Sequence, residues 1–385
     1  MNFEFATAAR IVFGAGRIRE LGVVAREFGR RVCVITGSRP DRYPGLLEGL
    51  RVEGLDIALE TISGEPTIST VSEAAARVRE VGSDLLIGVG GGSVLDAAKA
   101  VAAFATNPGD PLEYLEVIGR AQPLREDPLP VIAIPTTSGT GSEVTRNAVL
   151  GSFEHRMKVS LRSPRMLPRV ALVDPSLSLG LPPALTASTG MDAFTQLIEP
   201  FVSSRSNPMT DALCREGLAR VVRSLERAYE NGSNLVARVD MALASLMSGL
   251  ALANAGLGAV HGLAGPIGGM FAAPHGALCA ALLAPTMAVN LRAIRRRLPG
   301  SEFERRFDEL GEIVTRSSAA RGEDAVLWVD GLARRLLISG LQVHGIQATD
   351  HETIVTKASQ ASSMKANPIP LTHAELHEIL ERAVS

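Results

Sequence analysis

The sequence has little of several things that would mark a special class of chain. It holds three cysteines, Cys33, Cys214 and Cys279. Their odd number and wide spacing, without CxxC or zinc-finger intervals, exclude a disulfide framework and suit a reducing compartment. Charge of one sign is lacking too: 39 Lys and Arg face 41 Asp and Glu, for a net charge of −2. No excess field is left to hold a nucleic acid or an anionic membrane, so neither is expected as a partner. The opening stretch MNFEFATAARIVFG has no basic start and no continuous apolar core. It reads as neither signal peptide nor membrane span, and a cytoplasmic location is expected.

One absence is local. From Met241 to Leu291, about 51 residues, there is no Asp, Glu, Lys or Arg, although 21% of the whole chain is charged and roughly ten would be expected. Length alone would admit two membrane helices, but Gly, Pro and His interrupt the run too often for a lipid-facing segment. The run predicts a dry interior surface.

A chain of 385 residues, 46% apolar, is long enough for two domains, each with its own core. No internal repeat or long linker separates them, and the character changes near residue 178. Before that point β-branched runs (Val32 to Ile35, Ile57 to Ile62, Leu85 to Val89, Val131 to Ile134, Val170 to Val173) alternate with stretches of helical spacing such as Val71, Ala74, Ala75 and Val78. This alternation predicts an α/β domain, residues 1–178, with a mostly parallel sheet covered on both faces. After Pro182 and Pro183 helical periodicity takes over, as in Phe303, Phe307, Leu310 and Ile313, and predicts an all-helical domain over 179–385. The basic cluster Arg292 and Arg295 to Arg297 is read as a solvated helix face.

Ligands of such sheets collect beyond the strands' carboxyl ends, and two loops there carry chemistry. Gly90-Gly91-Gly92-Ser93 lets backbone approach a ligand, and a helix opening at Ser93 would aim free N–H groups at a pyrophosphate. The plain alternative is a capping box between Ser93 and Asp96, which leaves three glycines unexplained. The second loop, Pro135 to Thr145, sets five hydroxyls before Glu143 around two glycines, suited to a ribose, a phosphate or an amide, or merely to its own turns. A GxGxxG after the first of these strands is missing.

The helical half offers Asp192 and Gln196, four apart and so on one helix face, and two histidines, His261 and His275, inside the uncharged run. Each histidine alone suits a packed core. Two histidines and a carboxylate that converge suit a divalent metal.

Together, GGGSVLDAAKA (Gly90 to Ala100), PTTSGTGSEVT (Pro135 to Thr145), the Asp192 segment, AVHGLAGPIGG around His261 and APHGA around His275 resemble the iron-containing, or group III, alcohol dehydrogenases. The likeness is collinear from Phe13-Gly-Ala-Gly16 to Asn367-Pro368. It implies an N-terminal dinucleotide-binding α/β domain, a helical C-terminal domain, an active site in the cleft between them, and a homodimer. Carried over, Gly90, Gly91, Gly92 and Ser93 would meet the pyrophosphate; Asp96, Thr136, Thr137, Ser142 and Lys158 would line the cofactor; Asn147 would sit near nicotinamide and substrate.

Members bind one divalent ion, iron or zinc, through an aspartate and three histidines. Asp192, His261 and His275 match, while Gln196 stands where the first histidine is usual. An amide oxygen is a weaker donor than imidazole nitrogen, so the implied metal would be held more loosely or shifted toward harder ions; the opposing expectation is loss of metal. Gly265 replaces a further histidine often found near the substrate. The implied catalytic set is Asp192, His261, His275 and Asn147, acting in reversible hydride transfer between a nicotinamide and a small alcohol or aldehyde.

No acidic residue follows Val32 to Ile35: Gly37 stands where NAD-preferring relatives often place aspartate, and Ser38 or Arg39 could receive a 2′-phosphate, which favours NADP over NAD. Two other classes resemble the chain in part, the metal-independent maleylacetate reductases and the dehydroquinate synthases. The former differ in both loops, and the latter need basic groups around a phosphate where this chain has uncharged walls. If the substrate carries a carboxylate, Arg146 is the nearest partner in the motifs.

Overall fold

The computed structural model describes residues 2–152, 154–155 and 157–384. Eight strands are formed among them: β1 (Arg10–Phe13), β2 (Arg31–Thr36), β3 (Asp56–Thr61), β4 (Leu85–Gly90), β5 (Val131–Pro135), β6 (Asn147–Ser152), β7 (Met157–Arg162) and β8 (Val170–Val173). Between them lie α1 (Leu21–Arg26), α2 (Pro44–Val52), α3 (Ile68–Val81) and α4 (Gly92–Thr106). Then follow α5 (Pro183–Val202), α6 (Pro208–Glu230), α7 (Leu235–Ala255), α8 (Ala259–Met270), α9 (His275–Arg297), α10 (Glu302–Thr315), α11 (Gly322–Arg335), α12 (His351–Ser359) and α13 (His373–Ala383). The chain divides into two compact units, one of Ala6–Thr137 and Gly141–Leu179, the other of Gly180–Ser385 with Met1–Phe5 and Ser138–Thr140.

In the α/β unit six strands form one sheet in the order β1-β8-β5-β4-β2-β3, and every pairing is parallel. Along β2, Cys33 and Ile35 join a core with Val71 and Val78 of α3 and Ala97 of α4. Val32 and Val34, pointing the other way, join Val24 of α1 and Leu50 of α2. Strands buried on both faces read as continuous apolar runs, which is why β2, β4, β5 and β8 are legible in the sequence; β3, at the exposed edge, is legible from Ile57, Ala58 and Leu59. Each fully buried Val, Leu or Ile contributes roughly 1.5–3 kcal/mol.

The sequence reading missed three strands. β1 has four residues and lies at the sheet edge beside β8. β6 and β7 form a separate antiparallel hairpin, in which Gly151 and polar residues dilute the β-branched signal.

The winding of the sheet places the first site. The chain runs from β2 outward to β3, returns to the opposite side of β2 as β4, and continues outward through β5. Strand order thus reverses between β2 and β4, and their carboxyl ends, Thr36 and Gly90, border the crevice where open α/β sheets bind ligands.

In the helical unit α5 is the centre. Every residue from Gly190 to Val202 is buried, with α6, α7 and α9 packed around it. The uncharged run fills α7 from Met241 onward, all of α8 and α9 as far as Leu291. Two of these helices, α7 and α9, are long and apolar enough to cross a membrane, but 67% and 72% of their most apolar windows are buried inside the protein. Their apolar surface is spent on the core. The basic end of α9 is less bare than expected: Arg295 pairs with Glu304 at 3.1 Å and also with Glu323, Arg297 pairs with Glu375 at 3.0 Å, and Arg292 pairs with Glu378.

Candidate active site

Beyond the end of β4 the backbone runs straight into a helix. The expected helix start at Ser93 is corrected by one residue: α4 opens at Gly92, Gly91 is its N-cap, and no side chain caps it. The Ser93–Asp96 capping box is therefore not formed, and the first N–H groups of α4 are left for a ligand. A side chain at Gly90 would press on Val94 at 2.6 Å, so glycine is needed there, while one at Gly91 would meet Thr137 at 3.4 Å, an ordinary contact. Thr136 lies beside this loop, its N–H donating to the Gly90 carbonyl at 2.9 Å. At the end of β2, Gly37 is half-buried and Ser38 exposed, while Arg39 already pairs with Asp41 at 3.1 Å. That ion pair is fully in solvent and easily exchanged.

The second loop is fixed by a lysine that the sequence reading passed over. Lys99 is 1% exposed. Its Nζ donates to the Ser142 carbonyl (3.0 Å), Thr145 Oγ1 (2.9 Å) and the Asn147 carbonyl (2.5 Å), and lies 3.1 Å from Asp96 Oδ1. Asp96 in turn accepts from Ser142 Oγ at 2.5 Å and from the Val149 N–H at 2.9 Å. Asp96 and Ser142 thus hold the loop and the hairpin to α4. Lys158 on β7 pairs with Glu65 at 2.6 Å, and Asn147 begins β6 beside the Lys99 ammonium. The i,i+3 spacing of Asp96 and Lys99 was the available signal.

In the helical unit the conjectured cluster is assembled. Asp192 Oδ1 lies 3.6 Å from His261 Nε2 and 3.8 Å from His275 Nε2. That oxygen is buried without a hydrogen-bond partner. Close approach of α9 to α5 makes this possible: a side chain at Gly276 would strike the Ser188 carbonyl at 2.4 Å. The side chains of Asp192 and His261 are 3% and 7% exposed but that of His275 is 36% exposed, so the cluster opens toward solvent on the His275 side.

Two further residues complete the site, and the sequence reading missed both. Glu199, seven after Asp192 on the same face of α5, places Oε2 2.6 Å from His261 Nδ1, and its Oε1 accepts the Val260 N–H at 2.7 Å. With Asn367 Oδ1 accepting from Ala259 N–H at 3.1 Å, it satisfies the first turn of α8, which has no cap of its own. A carboxylate on Nδ1 fixes the tautomer with the lone pair on Nε2, facing the cluster. Cys279, one turn after His275, sets Sγ 3.7 Å from His261 Nε2 and 3.6 Å from His275 Nε2. Spacings of seven and four on helices were the signals available.

Buried acceptors that outnumber their donors draw positive charge. For His261 burial opposes protonation, but Cys279, Glu199 and Asp192 outweigh it and hold the imidazole well above its ordinary range. Burial likewise opposes ionisation of Asp192, yet the two histidines keep its carboxyl below the usual range. This donor set of carboxylate oxygen, imidazole nitrogens and sulfur within 4.8 Å of one another fits a divalent cation.

Gln196 is buried on α5. Its Oε1 lies 3.4 Å from Ser248 Oγ, and the Gln196 side chain, one turn from Asp192, helps the histidines hold that carboxyl low. Gly265, one turn after His261, is half-buried, and a Cβ there would meet nothing within 4 Å.

The sequence matches the iron-containing alcohol dehydrogenase family over residues 8–175 and the C-terminal part of the Fe-containing alcohol dehydrogenase family over 186–384. It is 36% identical over 394 residues to long-chain-alcohol dehydrogenase 1 of Geobacillus thermodenitrificans, covering 98% of this chain and 97% of the relative. It is 34% identical over 338 residues to alcohol dehydrogenase 4 of Saccharomyces cerevisiae, covering 87% and 85%. A crystal structure of 1,3-propanediol oxidoreductase superposes with a TM-score of 0.92 at 31% identity, covering 100% of both chains. Neither the maleylacetate reductase nor the dehydroquinate synthase alternative is favoured by these relatives. The chain belongs to the iron-containing alcohol dehydrogenase family, whose members are NAD(P)-linked oxidoreductases acting on CH–OH groups with iron or another divalent metal.

Proposed function

We propose that this chain is a metal-assisted aldehyde reductase and alcohol dehydrogenase whose cation is held by Asp192, His261 and His275, next to Gln196, and whose cofactor lies on the glycine loop. The observation that carries the reading is the buried, unpartnered Oδ1 of Asp192 facing two imidazole nitrogens. When bound, the cation supplies Lewis-acid stabilisation of charge at a substrate oxygen, and the nicotinamide supplies or takes the hydride.

The protein's part is placement and dryness. Glu199 holds His261 in one orientation, and the run free of charge surrounds the histidines with apolar wall, which strengthens electrostatics and keeps water from the reacting carbon. Open space beside Gly265 and exposure at His275 give a small substrate room to enter. A small uncharged or weakly polar aldehyde or alcohol suits these walls better than a phosphorylated sugar, and a carboxylate on the substrate would need Arg146. The N–H groups at Gly92 and Ser93 receive the pyrophosphate; Thr136, Thr137 and Ser142 border the cofactor; Asp96 and Lys99 hold that border in place, with Lys158 and Asn147 on the hairpin beside it. Gly37 and Ser38, without an acid, favour NADP. Three free, buried cysteines support a cytoplasmic enzyme, and we include a homodimer in the reading on the family resemblance.

The test follows oxidation of NADPH and NADH with a panel of aldehydes and keto acids, before and after chelation, with elemental analysis. Activity should disappear with the metal and return with it. Full activity in metal-free protein would sink the reading.

A further inference from the structure

We propose that Cys279, and not Gln196, is the fourth donor of the cation site, making it an aspartate, two-histidine, one-cysteine site that selects zinc-like ions over hard ones such as magnesium. The inference rests on the metal-dependent reading above and goes beyond it by naming the donor and the class of ion.

Distances carry it first. Zinc–nitrogen bonds of about 2.0–2.1 Å and a zinc–sulfur bond of about 2.3 Å, set at the tetrahedral angle, put sulfur about 3.6 Å from each nitrogen. Cys279 Sγ lies 3.6 and 3.7 Å from the two Nε2 atoms. The Asp192 Oδ1 to nitrogen separations of 3.6 and 3.8 Å exceed the corresponding value of about 3.4 Å by a few tenths.

Hydrogen-bond accounting carries it second. Nδ1 of His261 faces the Glu199 carboxylate, so Nε2 turns a lone pair inward. With both Nε2 atoms turning lone pairs inward, one thiol hydrogen would serve a single imidazole and leave Asp192 Oδ1, which is buried and without a hydrogen-bond partner, unanswered. A dication answers all four atoms at once. Gln196, by contrast, has its Oε1 engaged 3.4 Å from Ser248 Oγ, away from the four atoms, and stands one turn from Asp192 on α5. It positions the aspartate. Thiolate is a soft ligand, so the exchange of an imidazole for sulfur moves selectivity toward zinc and cobalt.

Cobalt(II) titration of the full-length, metal-stripped protein tests this. Visible d–d bands report occupancy, and a near-ultraviolet sulfur-to-cobalt charge-transfer band reports the thiolate. The parent should show both. Cys279→Ser should lose the near-ultraviolet band and bind cobalt more than about 100-fold more weakly, whereas Gln196→Ala should keep the band and lose about tenfold, as residues that only orient a ligand do. Visible bands without charge transfer in the parent, or charge transfer that persists in Cys279→Ser, would overturn the assignment while leaving metal binding intact. No cobalt uptake by the parent would overturn the metal reading itself, and this inference with it.

Discussion

Glu199 Oε2 sits 2.6 Å from Nδ1 of His261, and the other oxygen of the same carboxylate accepts the Val260 N–H at 2.7 Å. One buried acid therefore fixes both the start of α8 and the direction of the imidazole lone pair. Glu199→Gln keeps the volume but loses the charge that raises imidazole basicity. Metal affinity, measured by competition with a chelator, should fall about 10–100-fold, with the melting temperature of the metal-free protein changing less. Unchanged affinity would show that His261 needs no orienting partner.

Cofactor choice is predicted at Gly37. A Cβ there would find Val94 Cγ2 at 3.7 Å, an ordinary contact, and the backbone is not left-handed, so aspartate can be accommodated. Gly37→Asp should bind the ribose hydroxyls and repel a 2′-phosphate. The ratio of kcat/KM for NADPH to that for NADH should drop about tenfold or more, which corresponds to about 1.4 kcal/mol. A parent that prefers NADH from the outset would refute the preference for NADP.

Lys99 joins α4 to the second loop and the start of β6 through three donated hydrogen bonds, with Asp96 as its ion-pair partner on the same helix. Its removal in Lys99→Met leaves Asp96 without its cation and takes a donor from the Asn147 carbonyl in a buried place, while the Ser142 carbonyl keeps the Thr145 N–H and hydroxyl, a loss of about 3–5 kcal/mol. Thermal unfolding should register a clear drop, accompanied by a raised KM for the cofactor as the loop loosens. An unaltered KM would separate the lysine's structural role from the cofactor site.

Glu143 gives a pH signature. It is 2% exposed, and burial pushes its carboxyl from 4.5 up to about 7, against its own backbone hydrogen bond and the nearby Lys99. Between those values the folded chain keeps a proton that the unfolded chain has lost. Stability from this group is therefore full below the lower value and falls as pH rises, by roughly 3 kcal/mol in total. Glu143→Gln stays neutral throughout. Its melting temperature relative to the parent should climb from about pH 5 to about pH 8; a flat difference would mean that Glu143 is not the group that titrates.

The sequence alone made the α/β half and its parallel sheet legible, because strands buried on both faces must be apolar throughout and their covering helices must repeat at the helical period. It also located the glycine loop, where three glycines in a row between a strand and a helix stand out without any knowledge of their surroundings. It marked Met241 to Leu291 as dry, and the core packing of α7, α8 and α9 explains why.

Tertiary structure decided what those pieces meet. Cys279, Glu199 and Lys99 are unremarkable in the chain: a scattered thiol, an acid near a helix end, and a lysine in an alanine-rich stretch. Their parts depend on contacts between residues tens of positions apart, such as the 62-residue separation of Glu199 and His261. Gln196 shows the same limit from the other side. By position it reads as a metal ligand, yet only the fold shows that its Oε1 lies 3.4 Å from Ser248 Oγ, 52 residues away. Which atom of a side chain faces a site is a property of its neighbours in space, and spacing along a helix fixes only the face on which that side chain stands.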